Sequence, residues 1–324
     1  MENITIKIIS DTKELPTFPQ CNFFHSTELF TIFERSPAHT PFMVFAIGND
    51  GRIIAHLLTV MRRRGSFFPP YLYTHAHIYG EGEYEEGCDR AALFNMMLLA
   101  ITRKLRYRLC LYIEISDMSH KMFGYKQLRR AGYFPVQWME IHQSLHSMPP
   151  EQRLSAKMRK LIRKGMKKGV VTHETEDECE IRAFYKIMRG YNLSKFRRFT
   201  PPYEWFVELA HSESGRVFIT TYKGKVIGGC ACVYSGGDAY VWYAASLRKS
   251  YPRVRPDVLT IWHAISYAHQ CGYAHIRFMD VGLPFSRNPL REFILKFGGK
   301  PVSTYRWFRF SLSWVNRLLS WFSL

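Results

Sequence analysis

A chain of 324 residues with a net charge of +18 is longer than one average domain needs, and its apolar content is enough to bury a core in each of two. The composition excludes a disordered or low-complexity chain, and the excess of lysine and arginine selects anionic partners: nucleic acid, acidic lipid headgroups or a phosphorylated substrate. No stretch is long and apolar enough to span a bilayer. The seven cysteines show no CxxC spacing and no signal-like segment precedes them, so a reduced, cytoplasmic setting is expected.

In chain order, residues 42–60 read as two apolar runs around Gly48-Asn49-Asp50-Gly51, a β-hairpin with turn chemistry in its loop. Residues 90–105 have helical spacing through Leu93, Met96, Met97, Ala100 and Ile101, and a strand follows over 110–115. A short helix over 125–131 then leads through Gly132 into a strand at 138–145. Pro149 and Pro150 break that strand. The next helix, 151–169, carries Leu154, Met158, Leu161 and Ile162 on one side and ends at Gly169. Its other side is dense in charge: Lys157, Arg159, Lys160, Arg163 and Lys164 read as contacts to tRNA or lipid phosphate, against the plainer reading of a solvated face.

Beyond this helix the first pattern returns. Residues 217–233 form a hairpin around Tyr222-Lys223-Gly224-Lys225, with Cys230 and Cys232 sharing one face, where packing is their expected role. A helix at 257–270 (Val258, Ile261, Trp262, Ile265, Ala268) precedes a strand at 274–279. A short helix at 290–297 then leads through Gly298-Gly299 into a strand at 305–312. Three consecutive correspondences at one offset of about 170 residues imply a duplicated unit of hairpin, strand, helix, strand, helix, strand. The expected fold is therefore α/β (α+β): two mixed-sheet domains, 1–150 and 170–310, joined by the basic helix 151–169 and followed by an amphipathic helix, 311–324.

That last segment sets Trp314, Leu318, Trp321 and Phe322 on one face, with Ser313, Asn316 and Arg317 on the other, and no acidic residue occurs from Phe293 onward. It reads as an interfacial helix on an anionic membrane. A helix packed on the body of the protein is the alternative.

The layout of hairpin, strand, helix and strand resembles the GNAT (acyl-coenzyme A N-acyltransferase) fold. The duplication resembles the Fem family of peptidyl and aminoacyl transferases and related tandem GNAT-like proteins. The matching text is Ser155-Ala156-Lys157-Met158-Arg159-Lys160-Leu161-Ile162-Arg163-Lys164-Gly165, then Gly224-Lys225-Val226-Ile227-Gly228-Gly229, Phe278-Met279-Asp280-Val281-Gly282 and residues 293–299. The resemblance implies transfer of an acyl or aminoacyl group to an amine of a lipid-linked or phosphorylated acceptor, as in cell-envelope peptidoglycan synthesis. It implies no resident cofactor: the donor is an aminoacyl-tRNA or an acyl thioester, and the enzyme is peripheral to the inner face of the membrane. Two departures stand out. The place of the pyrophosphate-binding loop, 247–256, has no glycine, and its counterpart in the first repeat, 80–87, holds Glu81, Glu83, Glu85 and Glu86. Ile294 stands where the family often has a lysine, and the nearest is Lys296. Alternatives are a coenzyme A or acyl-carrier-protein dependent N-acyltransferase and a non-catalytic tRNA- or anionic-lipid-binding module.

Acyl transfer from an activated ester needs an oriented amine, a proton acceptor and oxyanion stabilisation. Asp280, at a strand end, is the candidate base, with a turn-capping role as the alternative. Tyr243 is the candidate oxyanion donor or stacking group. Tyr240 and Trp242 would line the same cleft, unless all three are plain core aromatics. Lys195, Arg197, Arg198, Arg255 and Lys296 are candidate contacts to an anionic substrate. No GxSxG marks a covalent nucleophile, and the His75/His77 and His142/His146 pairs lack the further ligands a metal needs.

Overall fold

The computed structural model describes residues 4–66, 71–118, 122–193, 200–279 and 281–321. They form two compact units, Met1–Gln137 with Thr304–Leu324, and Trp138–Ser303. In chain order the elements are β1 (Thr5–Ile9), α1 (Thr27–Arg35), β2 (His39–Ile47), β3 (Ile53–Ser66), β4 (Tyr71–Tyr79), β5 (Glu83–Tyr84), α2 (Arg90–Tyr107), β6 (Tyr112–Ser116), α3 (Tyr125–Arg130) and β7 (Phe134–Ser144). Then come α4 (Pro150–Arg153), α5 (Ala156–Lys167), β8 (Val170–Glu174), α6 (Glu178–Leu193), α7 (Tyr203–Ala210), β9 (Gly215–Tyr222), β10 (Lys225–Ser235) and β11 (Asp238–Ser246). The chain continues with α8 (Pro256–Gln270), β12 (His275–Phe278), α9 (Pro289–Ile294), β13 (Lys300–Phe310) and α10 (Ser313–Trp321).

The first unit is a mixed sheet ordered β1-β2-β3-β4-β6-β13, with β5 beside β3. All pairs on this path are antiparallel except β4 with β6, which is parallel. Alternation turns Phe42, Val44, Ala76, Ile78, Ile113 and Ile115 to one face, where α2 covers them with Leu93, Phe94, Met97, Leu98, Ile101 and Leu105. The second unit repeats the plan as β7-β12-β11-β10-β9-β8, and again one pair, β11 with β12, is parallel. Its core joins Phe218, Val241, Ile276 and Phe278 to Val258, Ile261, Trp262, Ile265 and Ala268 of α8, and it takes in Cys230 and Cys232 as packing groups. The β9–β10 turn is the tightest kind: Lys223 and Gly224 both adopt positive φ, 51° and 70°, matching the right-handed twist of the strands they join.

The duplication expected from the sequence is present element for element, from the hairpins β2/β3 and β9/β10 through α2 and α8 to β7 and β13. The division of the chain differs from 1–150, 151–169 and 170–310. Arg306 to Phe310 of β13 pair with Ser116 to Tyr112, so the end of the chain completes the first sheet. Ile141 to Ser144 of β7 pair with Phe278 to His275 in the second. Helix α5 belongs to the second unit rather than standing between units. It buries Met158, Ile162 and Gly165, and a Cβ on Gly165 would lie 2.7 Å from Leu259 Cδ2 of α8.

Candidate functional site

The two parallel strand pairs have different fates. In the first unit β4 and β6 stay paired to their ends: Tyr79 lies opposite Ser116, and Gly80 N–H still donates to Ser116 O at 2.8 Å. In the second unit the pairing of β11 with β12 stops at Val241 and Phe278. Beyond that point β11 keeps to β10, with Ser246 opposite Gly228 and Leu247 N–H on Ile227 O. The continuation of β12 keeps to β7 instead, through Met139 N–H on Gly282 O at 2.9 Å. The ladder between β11 and β12 thus ends short of Trp242 to Ser246, at Val241 and Phe278.

A bulge falls just past the end of this ladder. Val241 pairs with Cys232 and Tyr243 with Ala231, which leaves Trp242 as the extra residue. Strict alternation would put Tyr240 and Trp242 on one face and Tyr243 on the other. With the bulge, Trp242 and Tyr243 both meet Trp205 of α7, at ring-centroid distances of 5.1 and 5.3 Å. Tyr243 also meets Phe206 at 5.7 Å. Tyr240 is apart from them, buried under Arg277 at 5.5 Å, and burial pushes its phenol up to about 12. The Trp205 indole N–H is buried with no acceptor among the described residues, a donor set beside Trp242 and Tyr243. Neither α6 nor α7 is among the elements expected from the sequence, although Pro201-Pro202 ahead of Tyr203 and the Ile181, Phe184, Met188 spacing carry the signal.

The segment between β11 and α8 is not a phosphate cradle of the usual kind. Its amides are spent inward: Ser250 and Tyr251 donate to Leu247 O, and Val254 and Arg255 to Tyr251 O. The first turn of α8 carries its own anion, Asp257, gripped by the Arg255 guanidinium through two bonds of 2.9 and 2.8 Å. Arg248 and Lys249 remain exposed in front of it, and Lys296 is exposed beyond α9, while Ile294 is buried in the core. In the first unit the corresponding acids are also committed. Glu83 accepts the Cys21 and Asn22 amides at 3.0 and 2.6 Å, and Glu81 accepts the Gly124 amide, its carboxyl pushed up to about 7 by burial.

Lys157, Arg159, Lys160, Arg163 and Lys164 are exposed along α5, and none has an ion-pair partner among the described residues. Trp314, Leu318 and Trp321 are exposed on α10. Asp280, Lys195, Arg197, Arg198 and Phe322 lie outside the described residues. Among the described residues no group of three His, Cys, Asp or Glu has the arrangement to hold a metal, and no helix is long and apolar enough to cross a membrane. His77 bonds Ser116 Oγ at 2.9 Å, and burial holds its imidazole neutral, so its 3.7 Å approach to Glu114 is not a salt bridge.

Residues 152–287 match the family model of the acetyltransferase (GNAT) domain. No curated protein matches the chain by sequence. Among solved structures the chain is similar to FemX, with 12% identity, 86% of this chain and 90% of that one covered, and a TM-score of 0.60. It is similar to L-PGS from Bacillus licheniformis, with 11% identity, coverage of 92% and 91%, and a TM-score of 0.60. A tandem GNAT protein from the clavulanic acid biosynthesis pathway gives 12% identity, 95% and 99% coverage, and a TM-score of 0.59. At these identities the likeness is one of fold. Residues 152–287 carry the match to the acetyltransferase (GNAT) domain, and the chain as a whole has the fold of these tandem GNAT-like structures.

Proposed function

We propose that the chain is an N-acyl or aminoacyl transferase of the Fem type, acting in the cleft where β11 and β12 part. It transfers the group to an amine of a lipid-linked or phosphorylated acceptor at the inner face of an anionic membrane, in cell-envelope synthesis. What supports this is the early end of the β11–β12 ladder at Val241 and Phe278 in the second unit, where the β4–β6 ladder of the first runs on to Tyr79 and Ser116. Where a ladder ends, an amide-bearing donor can pair as an added strand would, and a buried donor such as the Trp205 indole N–H is preorganised for an oxyanion.

In the reaction the acceptor nitrogen attacks the acyl carbonyl carbon and a C–N bond forms. Asp280 takes a proton from that nitrogen. The oxyanion collapses and breaks the C–O bond of an aminoacyl ester or the C–S bond of a thioester, and the leaving ribose hydroxyl or thiol is reprotonated. Tyr243, next to the bulged Trp242, donates to the oxyanion or stacks on the donor. Trp242, Tyr240, Lys195, Arg197, Arg198, Arg255 and Lys296 serve as substrate-binding groups, and the basic face of α5 receives tRNA or lipid phosphate. The inward-facing amides of the 247–255 segment favour aminoacyl-tRNA over coenzyme A as donor, because a pyrophosphate would find few free N–H groups there.

The test supplies labelled aminoacyl-tRNA or acyl-coenzyme A with a lipid-linked amine and follows label into the acceptor. Transfer from the tRNA, slowed about a hundredfold in kcat by Asp280→Asn and at least tenfold by Tyr243→Phe, is the expected result. Undiminished transfer by both variants would remove the cleft assignment. Transfer from the thioester alone would replace the donor.

A further inference from the structure

Helix α10 is docked by its polar side. Asn316 Oδ1 accepts Phe310 N–H and its Nδ2 donates to Gly132 O, both at 2.9 Å. Arg309, on the strand just before, donates to Ala131 O. With the asparagine turned inward, the opposite face goes out: Trp314 and Trp321 are 69% and 76% exposed, and Leu318 is about half exposed. An amphipathic helix packing on its own protein does the reverse.

A second segment of the same unit shares this exposure. Between α2 and β6, Leu109 holds φ at 54°, a left-handed conformation that a branched apolar residue adopts only under steric strain. The result is a leucine 86% exposed, next to Tyr107 at 74%. Hydrogen bonds tie this turn to the base of α10: Ser311 N–H donates to Leu111 O at 2.9 Å, and Ser311 Oγ donates to Cys110 O. Thr74 Oγ1 braces the turn from β4 by donating to Leu109 O at 2.8 Å. Turn and helix therefore expose their apolar groups from one corner of the unit, and Leu312 lies between them, 50% exposed.

The charge around this corner has one sign. Exposed Arg103, Arg106, Arg108, Arg129, Arg130 and Arg317 surround it, and neither 90–113 nor 293–324 contains an acidic residue. A second copy docking on the same patch would set arginine against arginine, because a two-fold interface meets itself. A bilayer bearing anionic headgroups complements both features, taking tryptophan and leucine into its interface and arginine at its phosphates.

We infer that the Leu109 turn and α10 together form one bilayer-docking surface for anionic phospholipid. This deepens the membrane placement proposed above and is independent of the chemistry in the second unit. The full chain is sedimented with vesicles of phosphatidylcholine, with and without one quarter phosphatidylglycerol, and its tryptophan emission is read alongside. Binding to the anionic vesicles, a blue shift, and weakening by salt are expected. Leu109→Asn keeps a residue that tolerates the left-handed turn and removes its apolar tip, so a drop of about tenfold in partitioning is expected with an unchanged fold. Trp321→Ser should give a similar drop. Partitioning of both variants equal to the parent, or equal binding to the two vesicle types, would overturn the inference. So would a dimer in solution that either variant dissolves, which would assign the patch to a second copy.

Discussion

Gly165 shows how a single missing side chain holds the second unit together. Leu259 Cδ2 and Val254 O would lie 2.7 and 3.2 Å from a Cβ there, and the carbonyl has no room to yield. Gly165→Val is expected to cost about 1–3 kcal/mol and to loosen α5 from α8, read as a lower urea midpoint with an unchanged slope. Glu81 gives a residue-scale pH effect. Its carboxyl is raised in the folded state, so between about 4.5 and 7 the folded chain holds a proton that the unfolded chain has lost, and stability falls as pH rises through that window. Glu81→Gln should remove this slope, since its amide oxygen still accepts Gly124 N–H; an unaltered pH profile would rule the effect out. At this scale the sequence is least informative. Tyr240, Trp242 and Tyr243 are visible as a cluster, but the bulge that separates Tyr240 from the other two lies among residues with no glycine to mark it. The grip of Arg255 on Asp257 likewise depends on a left-handed Arg255 that composition does not announce.

At the scale of elements, amphipathic spacing reads well. The buried side of α5 is Met158 and Ile162, with Leu161 half-buried, and every lysine and arginine on its outer side is exposed. If that side meets nucleic acid, Arg163→Gln should reduce the slope of log affinity against log salt by about one for tRNA, leaving the urea midpoint in place. An unchanged slope would return α5 to the role of a solvated face. For α10 the spacing reveals the two faces but not which one docks. That choice rests on the Asn316 bonds to Phe310 and Gly132, partners nearly two hundred residues apart in one case, and no local pattern encodes them. The fork between β11 and β12 is hidden for the same reason, since it depends on which neighbour each strand end keeps.

For the molecule as a whole, the repeat is the most legible property, because matched segments recur at one offset whatever their substrate. Yet the repeats differ in acid sensitivity. In the first unit, burial holds His25, His39 and His75 down to about 3 and His56 to about 4. Each binds its proton in the unfolded chain below about 6.5 but not in the folded one, so its stabilising contribution is complete above that pH and is lost as pH falls toward 4. Acidification should therefore open β3 and β4 before β9 and β10. Hydrogen exchange between pH 7 and 4 checks this, and earlier loss in the second unit would contradict it. Ending the chain at Ser303 should likewise reduce protection in β6, which keeps β4 but loses β13 as a neighbour, while β9 and β10 keep theirs.

That pairing has a consequence for synthesis. The second unit is one continuous stretch of chain, whereas the first needs Arg306 to Phe310 to close its sheet beside β6. On the ribosome, at about 5–20 residues per second, the half translated first waits for Arg306 to Phe310 to emerge before its sheet is complete. The half translated second has all its strands some residues earlier. Order of translation and order of completion are reversed, and Glu114, whose partner Arg306 arrives with that last strand, spends the interval without it.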